Sequence, residues 1–183
     1  MPIMTEVPKA KYSIYVACLA AYNNGCLHGA WIDAAQEPEE IETEVQAMLA
    51  RSPVPHAEEW AIHDYDLGGV KIGEYESFAT VSVIAKAVGE HGTALVAYIG
   101  HVGTEYAAQE WYATIERFQE AYRGEFPSMA DYAEELYSDV CNMREIPEWL
   151  LAHIDWESVG KELEMGELWT AEASSGVHVF ERN

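Results

Sequence analysis

The chain has to place 32 Asp and Glu side chains with only 10 Lys and Arg to pair them, a formal net charge of −22 over 183 residues. A carboxylate buried without a partner is strongly disfavoured. The fold must therefore carry nearly all of its acids on the surface. A disordered acidic tail would gather them in one block. Here they are spread, with 7 in residues 1–56, 9 in 57–110 and 16 in 111–183. The chain also holds six Trp and eleven Tyr and is 49% hydrophobic, which predicts ordinary folding throughout. Such a surface repels anions, so nucleic acid and anionic membranes are poor partners and a basic protein surface is a good one. The plain alternative is an acidic surface that serves solubility alone. The scarcity of Lys and Arg and the spread of the acids count against it.

Other function classes lack their residues. Met1 to Pro8 carries no apolar run and no stretch is long enough to span a membrane, so a cytoplasmic protein is expected. Cys18, Cys26 and Cys141 make an odd count without CxxC spacing, which reads as reduced thiols, with a Cys18–Cys26 disulfide as the alternative. The seven histidines are His28, His56, His63, His91, His101, His153 and His178, and no pair stands at metal-site spacing with a third ligand nearby. No GxGxxG, P-loop, HExxH or GxSxG occurs. The expectation is a protein with no cofactor, no metal and no catalytic site.

Periodicity predicts an α+β fold. Residues 12–20 and 27–32 read as strands around Asn23-Asn24-Gly25, a hairpin signal. Pro38 opens a helix with Ile41, Val45, Met48 and Leu49 on one face. Residues 59–65 read as a third strand, with Trp60, Ile62 and Asp64 alternating against Ala61, His63 and Tyr65. Residues 77–88 predict a helix, broken by Gly89, His91 and Gly92, and the apolar stretch 93–101 fits a further helix, with a buried strand as the alternative. A long helix is expected from Gly103 to Tyr122, its stripe Trp111, Ile115, Phe118 and Tyr122, with Gly124 to Pro127 as a loop. Ser128 to Asp131 matches a capping box, opening a helix to Val140 with Leu136 and Val140 inward. Short helices at 148–153 and 158–164 precede a hairpin of 168–170 with 177–180. The expected organisation is three domains. A small sheet plus helix fills 1–70, a helical middle domain 71–110, and helices with a short hairpin 111–183.

The carboxylate stripes are the informative pattern. Asp131, Glu135 and Asp139 repeat at i, i+4, i+8 beside Glu134, and the pairs Glu116/Glu120 and Glu40/Glu44 repeat the spacing. Like charges so placed destabilise a helix by about 0.2–0.5 kcal/mol per pair. Stability would favour Glu–Lys pairs instead, so these eight are the candidate partner-binding residues. Each stripe by itself also fits a merely solvated helix face. Duplex DNA carries one charge per ~1.7 Å of axis, far denser than acids spaced by ~6 Å on a helix. If two copies of net charge −22 showed it all at DNA density, they would cover roughly 75 Å of duplex axis, an upper bound. A protein imitating DNA with such stripes would have to be long.

Several blocks carry a family resemblance. Tyr15-Val16-Ala17 through Ala20-Ala21-Tyr22-Asn23-Asn24-Gly25, then Leu27-His28-Gly29 and Trp31-Ile32-Asp33, form the first. Glu59 to Tyr65 and Gly73 to Ser77 follow, then Ser128 to Asp139, Glu145 to Glu148, Ile154 to Glu157, and Gly176 to Phe180. In this order they are similar to the ArdA family of antirestriction proteins. The resemblance implies an elongated three-domain homodimer that mimics bent B-form DNA. It implies stoichiometric inhibition of type I restriction-modification enzymes, by occupying the DNA groove of the methyltransferase core formed by specificity and modification subunits. It further places the dimer contact in the third domain, here around Ile146, Trp149, Leu150, Ile154 and Trp156. The sequence departs from the family at Cys18 and Cys26, at Cys141-Asn142 in place of Thr-Gly, and at Arg144, an added positive charge. An acidic protein binding some other basic partner, and a salt-adapted protein of unrelated function, are the remaining readings.

Overall fold

The computed structural model describes residues 10–142 and 145–182, which leaves Met1 to Pro8 and Arg144 outside the described residues. The chain is α+β and divides into two compact units, Met1–Ile115 and Glu116–Asn183, with the division inside a helix. The stretch expected as a middle domain, 71–110, lies in the first unit.

The first unit is built on a three-stranded antiparallel sheet. Its strands are β1 (Ser13–Cys18), β2 (Gly29–Asp33) and β3 (Trp60–Asp66), in the order β2-β1-β3. β1 and β2 pair as the sequence predicts, from Ser13 opposite Asp33 to Ala17 opposite Gly29. The link between them differs from a tight hairpin. The strand ends at Cys18, whose sulfur accepts from the Ala21 N–H and caps a short helix, α1 (Leu19–Asn23). Asn24 closes that helix, its side chain donating to the Ala20 carbonyl at 2.8 Å, and Gly25 takes φ +75°. Asn-Gly therefore ends a helical turn here instead of reversing two strands.

The inner face of the sheet carries Ile14, Val16 and Ile32, all buried. Against it packs α2 (Pro38–Leu49), whose Ile41, Val45, Met48 and Leu49 are buried as its periodicity requires. α3 (Phe78–Val102) covers the 71–110 region almost alone. Its two halves meet at Gly92, φ +53° and ψ −130°, which is the break expected there. α3 is tied to the residues just before α2 and β1: the Ser82 hydroxyl donates to the Gln36 carbonyl at 2.7 Å, Lys86 pairs with Glu37 at 2.7 Å, and the Tyr12 hydroxyl donates to the Val88 carbonyl at 3.4 Å. Trp60 stacks on Phe78 at 4.4 Å.

The expected helix from Gly103 to Tyr122 is interrupted. α4 (Thr104–Ala107) stops after one turn and α5 (Trp111–Ala121) follows. Trp111, Ile115 and Phe118 are buried, as their stripe predicts, but Tyr122 already belongs to a strand.

That strand, β4 (Tyr122–Phe126), replaces the loop expected at Gly124–Pro127. It pairs with β6 (Gly176–Glu181), which pairs in turn with β5 (Leu168–Ala173), in the order β4-β6-β5. Pairing to a distant strand overrides the weak local signal of Arg-Gly-Glu. On this sheet lie α6 (Met129–Val140) and α8 (Trp156–Met165), linked by α7 (Glu148–Leu151). Tyr132, Leu168 and Val179 form a core with Phe126, Met129, Leu136, Leu163 and Val177 around it. Trp169 stacks on Phe180 at 4.2 Å, beside Phe118 and Tyr122. Val140, expected inward, is exposed, because α6 has run past this core by its last turn. All three cysteines are free thiols, Cys18 buried and Cys26 and Cys141 exposed.

Candidate partner-binding surface

In the second unit the sequence-predicted acids fall on exposed helix faces. α6 is capped by Ser128, whose hydroxyl accepts from the Asp131 N–H at 3.2 Å and donates to the Asp131 carboxylate. Asp131 thus takes part in the cap, though by meeting the Ser128 hydroxyl and not by reaching back to its backbone. One turn further on, Glu134, Glu135 and Asp139 are exposed, with no cation paired to them among the described residues. α6 holds them there because Tyr132 and Ala133, on its other side, are buried. Glu116 and Glu120 are exposed on α5. Near Glu120, Arg123 donates to its carbonyl at 2.7 Å and forms an ion pair with Glu181 at 2.5 Å.

The pair on α2 is different. Glu40 accepts from the Glu37 N–H at 3.1 Å, closing a capping box, and Glu44 accepts from the Gln36 amide at 2.8 Å. Satisfying an otherwise orphaned N–H at the positive helix end offsets the like-charge cost that made this stripe look uncompensated. Glu40 and Glu44, like Asp131 in the α6 cap, have local structural work that is not seen for Glu134, Glu135 and Asp139 among the described residues.

Two exposed carboxylates of the second unit ionise more readily than usual. The Ser175 hydroxyl, donating at 2.7 Å, holds Glu125 below the ordinary Glu range. Ser158 does the same for Asp155, the N-cap of α8, through its hydroxyl at 2.8 Å and its backbone N–H at 3.1 Å. Burial pushes the Tyr132 hydroxyl upward.

The apolar residues around 146–156 divide into two groups. Ile146, Ile154 and Trp156 line a recess of about 280 Å³ with Tyr137, Cys141, Val159 and Glu162. Trp149 and Leu150, on α7, are 69% and 43% exposed. Large apolar side chains at this exposure mark a surface that a partner can cover.

Sequence reasoning missed a third acidic surface, the outer face of the first sheet. Alternation along β3 put Ile62 and Asp64 on one face. A shift in pairing between Tyr15 and Val16 separates them: Asp64 lies opposite Tyr15 and Ile62 opposite Val16. Ile62 therefore points into the core, and Asp64 points out with Asp66. The same face carries Asp33, Tyr15 and Trp31. The acids of β2 and β3 stand two residues apart on one chain or on separate strands, a spacing that a search for i,i+4 stripes does not find.

Among the described residues no three His, Cys, Asp or Glu side chains gather as metal ligands, and no helix is long and apolar enough to cross a membrane. Both units thus hold many exposed carboxylates on small α+β folds. The chain matches the family model described as antirestriction protein (ArdA) over residues 14–176, nearly its whole length, and belongs to that family. It is accordingly an antirestriction protein, whose partners are restriction-modification enzymes. No curated protein sequence matches it.

Proposed function

We propose that this protein is a stoichiometric, non-catalytic inhibitor of type I restriction-modification enzymes that imitates the DNA phosphate backbone. The observation that carries the reading is the α6 face, where Glu134, Glu135 and Asp139 stand exposed, with no cation paired to them among the described residues, in a chain of net charge −22. Lys and Arg side chains that hold phosphates in the DNA groove of the methyltransferase core, made of specificity and modification subunits, would meet these carboxylates in charge-assisted pairs. Phosphate contacts position a duplex without reading its sequence, so inhibition is indifferent to the recognition site. One helical stripe is sparser than a duplex, and the reading therefore includes the elongated, three-domain homodimer implied by the family likeness. The apolar surface of Trp149 and Leu150, with the recess at Ile146, Ile154 and Trp156, is the proposed dimer contact.

The test adds purified protein to type I and type II restriction reactions. Near-stoichiometric loss of type I cleavage at unrelated recognition sites, with type II cleavage intact, is the expected result. No inhibition of any type I enzyme at such ratios refutes the reading and leaves an acidic protein for another basic partner. Small-angle scattering should report an elongated dimer; a compact monomer refutes the shape that mimicry requires.

A further inference from the structure

At the edge of the first sheet, beside β3, a recess of about 460 Å³ is lined by Tyr22, Ile62, His63, Tyr65, Ile72 and Glu74. Three local features assemble it. The first is the irregularity in β3. Its pairing with β1 steps from Asp64 opposite Tyr15 to Ile62 opposite Val16 and passes over His63. A residue passed over in this way bends its strand and has its side chain re-aimed. The His63 ring stands 4.8 Å from the Tyr22 ring of α1 at 82°, so the two are nearly perpendicular walls. Tyr22 is 53% exposed, which leaves much of its ring open to a ligand. The second feature is a tether. The Ile62 N–H donates to the Glu74 carbonyl at 2.9 Å, which holds the segment around Glu74 along β3 and brings that acid to the recess. The third is charge. Glu74 is exposed, with no cation paired to it among the described residues. The lining holds this one carboxylate and no Lys or Arg, although Lys71 precedes Ile72 in the chain.

We propose that this recess is a binding site for an arginine side chain of a protein partner. A planar, weakly hydrated guanidinium lies against the Tyr22 ring and donates to the Glu74 carboxylate, while its aliphatic stem rests on Ile72. Lysine, a compact and strongly hydrated charge, uses the carboxylate but gains less from the rings. An anionic ligand meets Glu74 and the field of a chain of net charge −22. A metal ion finds one imidazole and one carboxylate, too few for a site, and no set of three ligands gathers among the described residues. The recess lies wholly within the first unit, away from the α6 acids of the second. The identity of the partner rests on the proposed inhibition of restriction enzymes, because DNA-binding grooves supply such arginines. The chemistry of the recess does not rest on it.

The full-length protein is titrated at fixed pH with blocked tetra-arginine and tetra-citrulline peptides while the His63 ring C–H signals are followed by NMR. Citrulline keeps the planar shape of arginine and removes its charge. Saturable movement of the His63 signals by the arginine peptide alone is expected. Affinity read at those signals should fall by about twofold to fivefold in Tyr22→Ala and again in Glu74→Gln, and Tyr22→Phe, which keeps the ring, should bind as wild type does. No saturable movement, equal response to both peptides, or unchanged affinity in Tyr22→Ala and Glu74→Gln with the remaining spectrum intact overturns the site. A second arm compares wild type with the Tyr22→Ala, Glu74→Gln double variant against a type I enzyme, where the half-inhibitory concentration should rise more than about twofold. Equal potency removes the recess from the enzyme contact while the broader function stands. No inhibition by wild type removes the broader function, and the peptide arm then decides the site alone.

Discussion

Gly160 offers a test in which two well-known effects have opposite signs. It lies inside α8 and is buried where that helix crosses α6. Glycine in a helix interior is about 1 kcal/mol worse than alanine, so Gly160→Ala should stabilise the protein if helix propensity decides. The packing opposes this. A Cβ at Gly160 would stand 2.7 Å from the Met129 carbonyl oxygen and 2.8 Å from its carbon. Those are backbone atoms of the first turn of α6, fixed by the Ser128 cap, and cannot rotate aside. Overpacking of this kind costs about 1–3 kcal/mol. The net expectation is a loss of up to about 2 kcal/mol, lowering the melting midpoint of the second unit by up to roughly 15 °C for a domain of its size. Calorimetry of the variant measures it. Gly100→Ala is the control: Gly100 is also interior to a helix, α3, but nothing lies within 4 Å of its added Cβ. There the propensity gain of about 1 kcal/mol should appear undiminished. Trimming Met129 to Ala should not rescue Gly160→Ala, because the nearest obstruction is the carbonyl. A Gly160→Ala protein that melts at or above wild type would refute the assigned close crossing of α6 and α8.

The acidic face of α6 should act collectively. Asp131→Asn alone should change inhibition less than about fivefold, since one exposed ion pair contributes about 0–1 kcal/mol. Neutralising Asp131, Glu134, Glu135 and Asp139 together should raise the half-inhibitory concentration more than about tenfold, and an unchanged curve removes α6 from the binding surface. Glu40→Ala should reduce stability by about 0.5–1 kcal/mol through loss of the capping box at α2, measured by urea unfolding; a neutral result would show that the Glu40–Glu37 bond contributes nothing. The pH dependence follows from Glu125 and Asp155, whose folded pKa values are lowered from 4.5 and 3.8. Their contribution is present above those unfolded values and is lost as pH falls through the lower folded ones. Ser158→Ala should therefore flatten the fall in melting midpoint below about pH 4, and an identical acid profile in the variant would refute the assignment.

The three readings of acidic patches show what a sequence can and cannot reveal here. The exposure of the α6 acids was legible because a helix repeats locally: Tyr132, Ala133 and Leu136 turn inward and Glu134, Glu135 and Asp139 outward within one segment, although Val140, expected inward, is exposed. The same method misjudged α2. Spacing makes Glu40 and Glu44 look like an uncompensated pair, but they accept hydrogen bonds from the Glu37 N–H and the Gln36 amide, just before the helix. The β-sheet acids escaped altogether. Asp33 and Asp66 are brought to one face by strand pairing across more than thirty residues of chain, and Asp64 is turned outward by a single register shift beside β1. β4 fails for the same reason, since nothing in Tyr122-Arg123-Gly124-Glu125-Phe126 announces a strand until β6 is there to pair with it.

Helical stripes alone give a carboxylate spacing of ~6 Å along one line, too sparse for a duplex. The outer sheet face adds acids set by a different rule, ~4.8 Å between strands and ~6.8 Å between alternate residues. Each unit therefore carries acids set by its own rule, helical repeat in one and strand pairing in the other. The backbone arranges the charges across separate elements, and each element needs to tolerate only the few it carries. That is how a chain with 32 acids and 10 bases can remain folded.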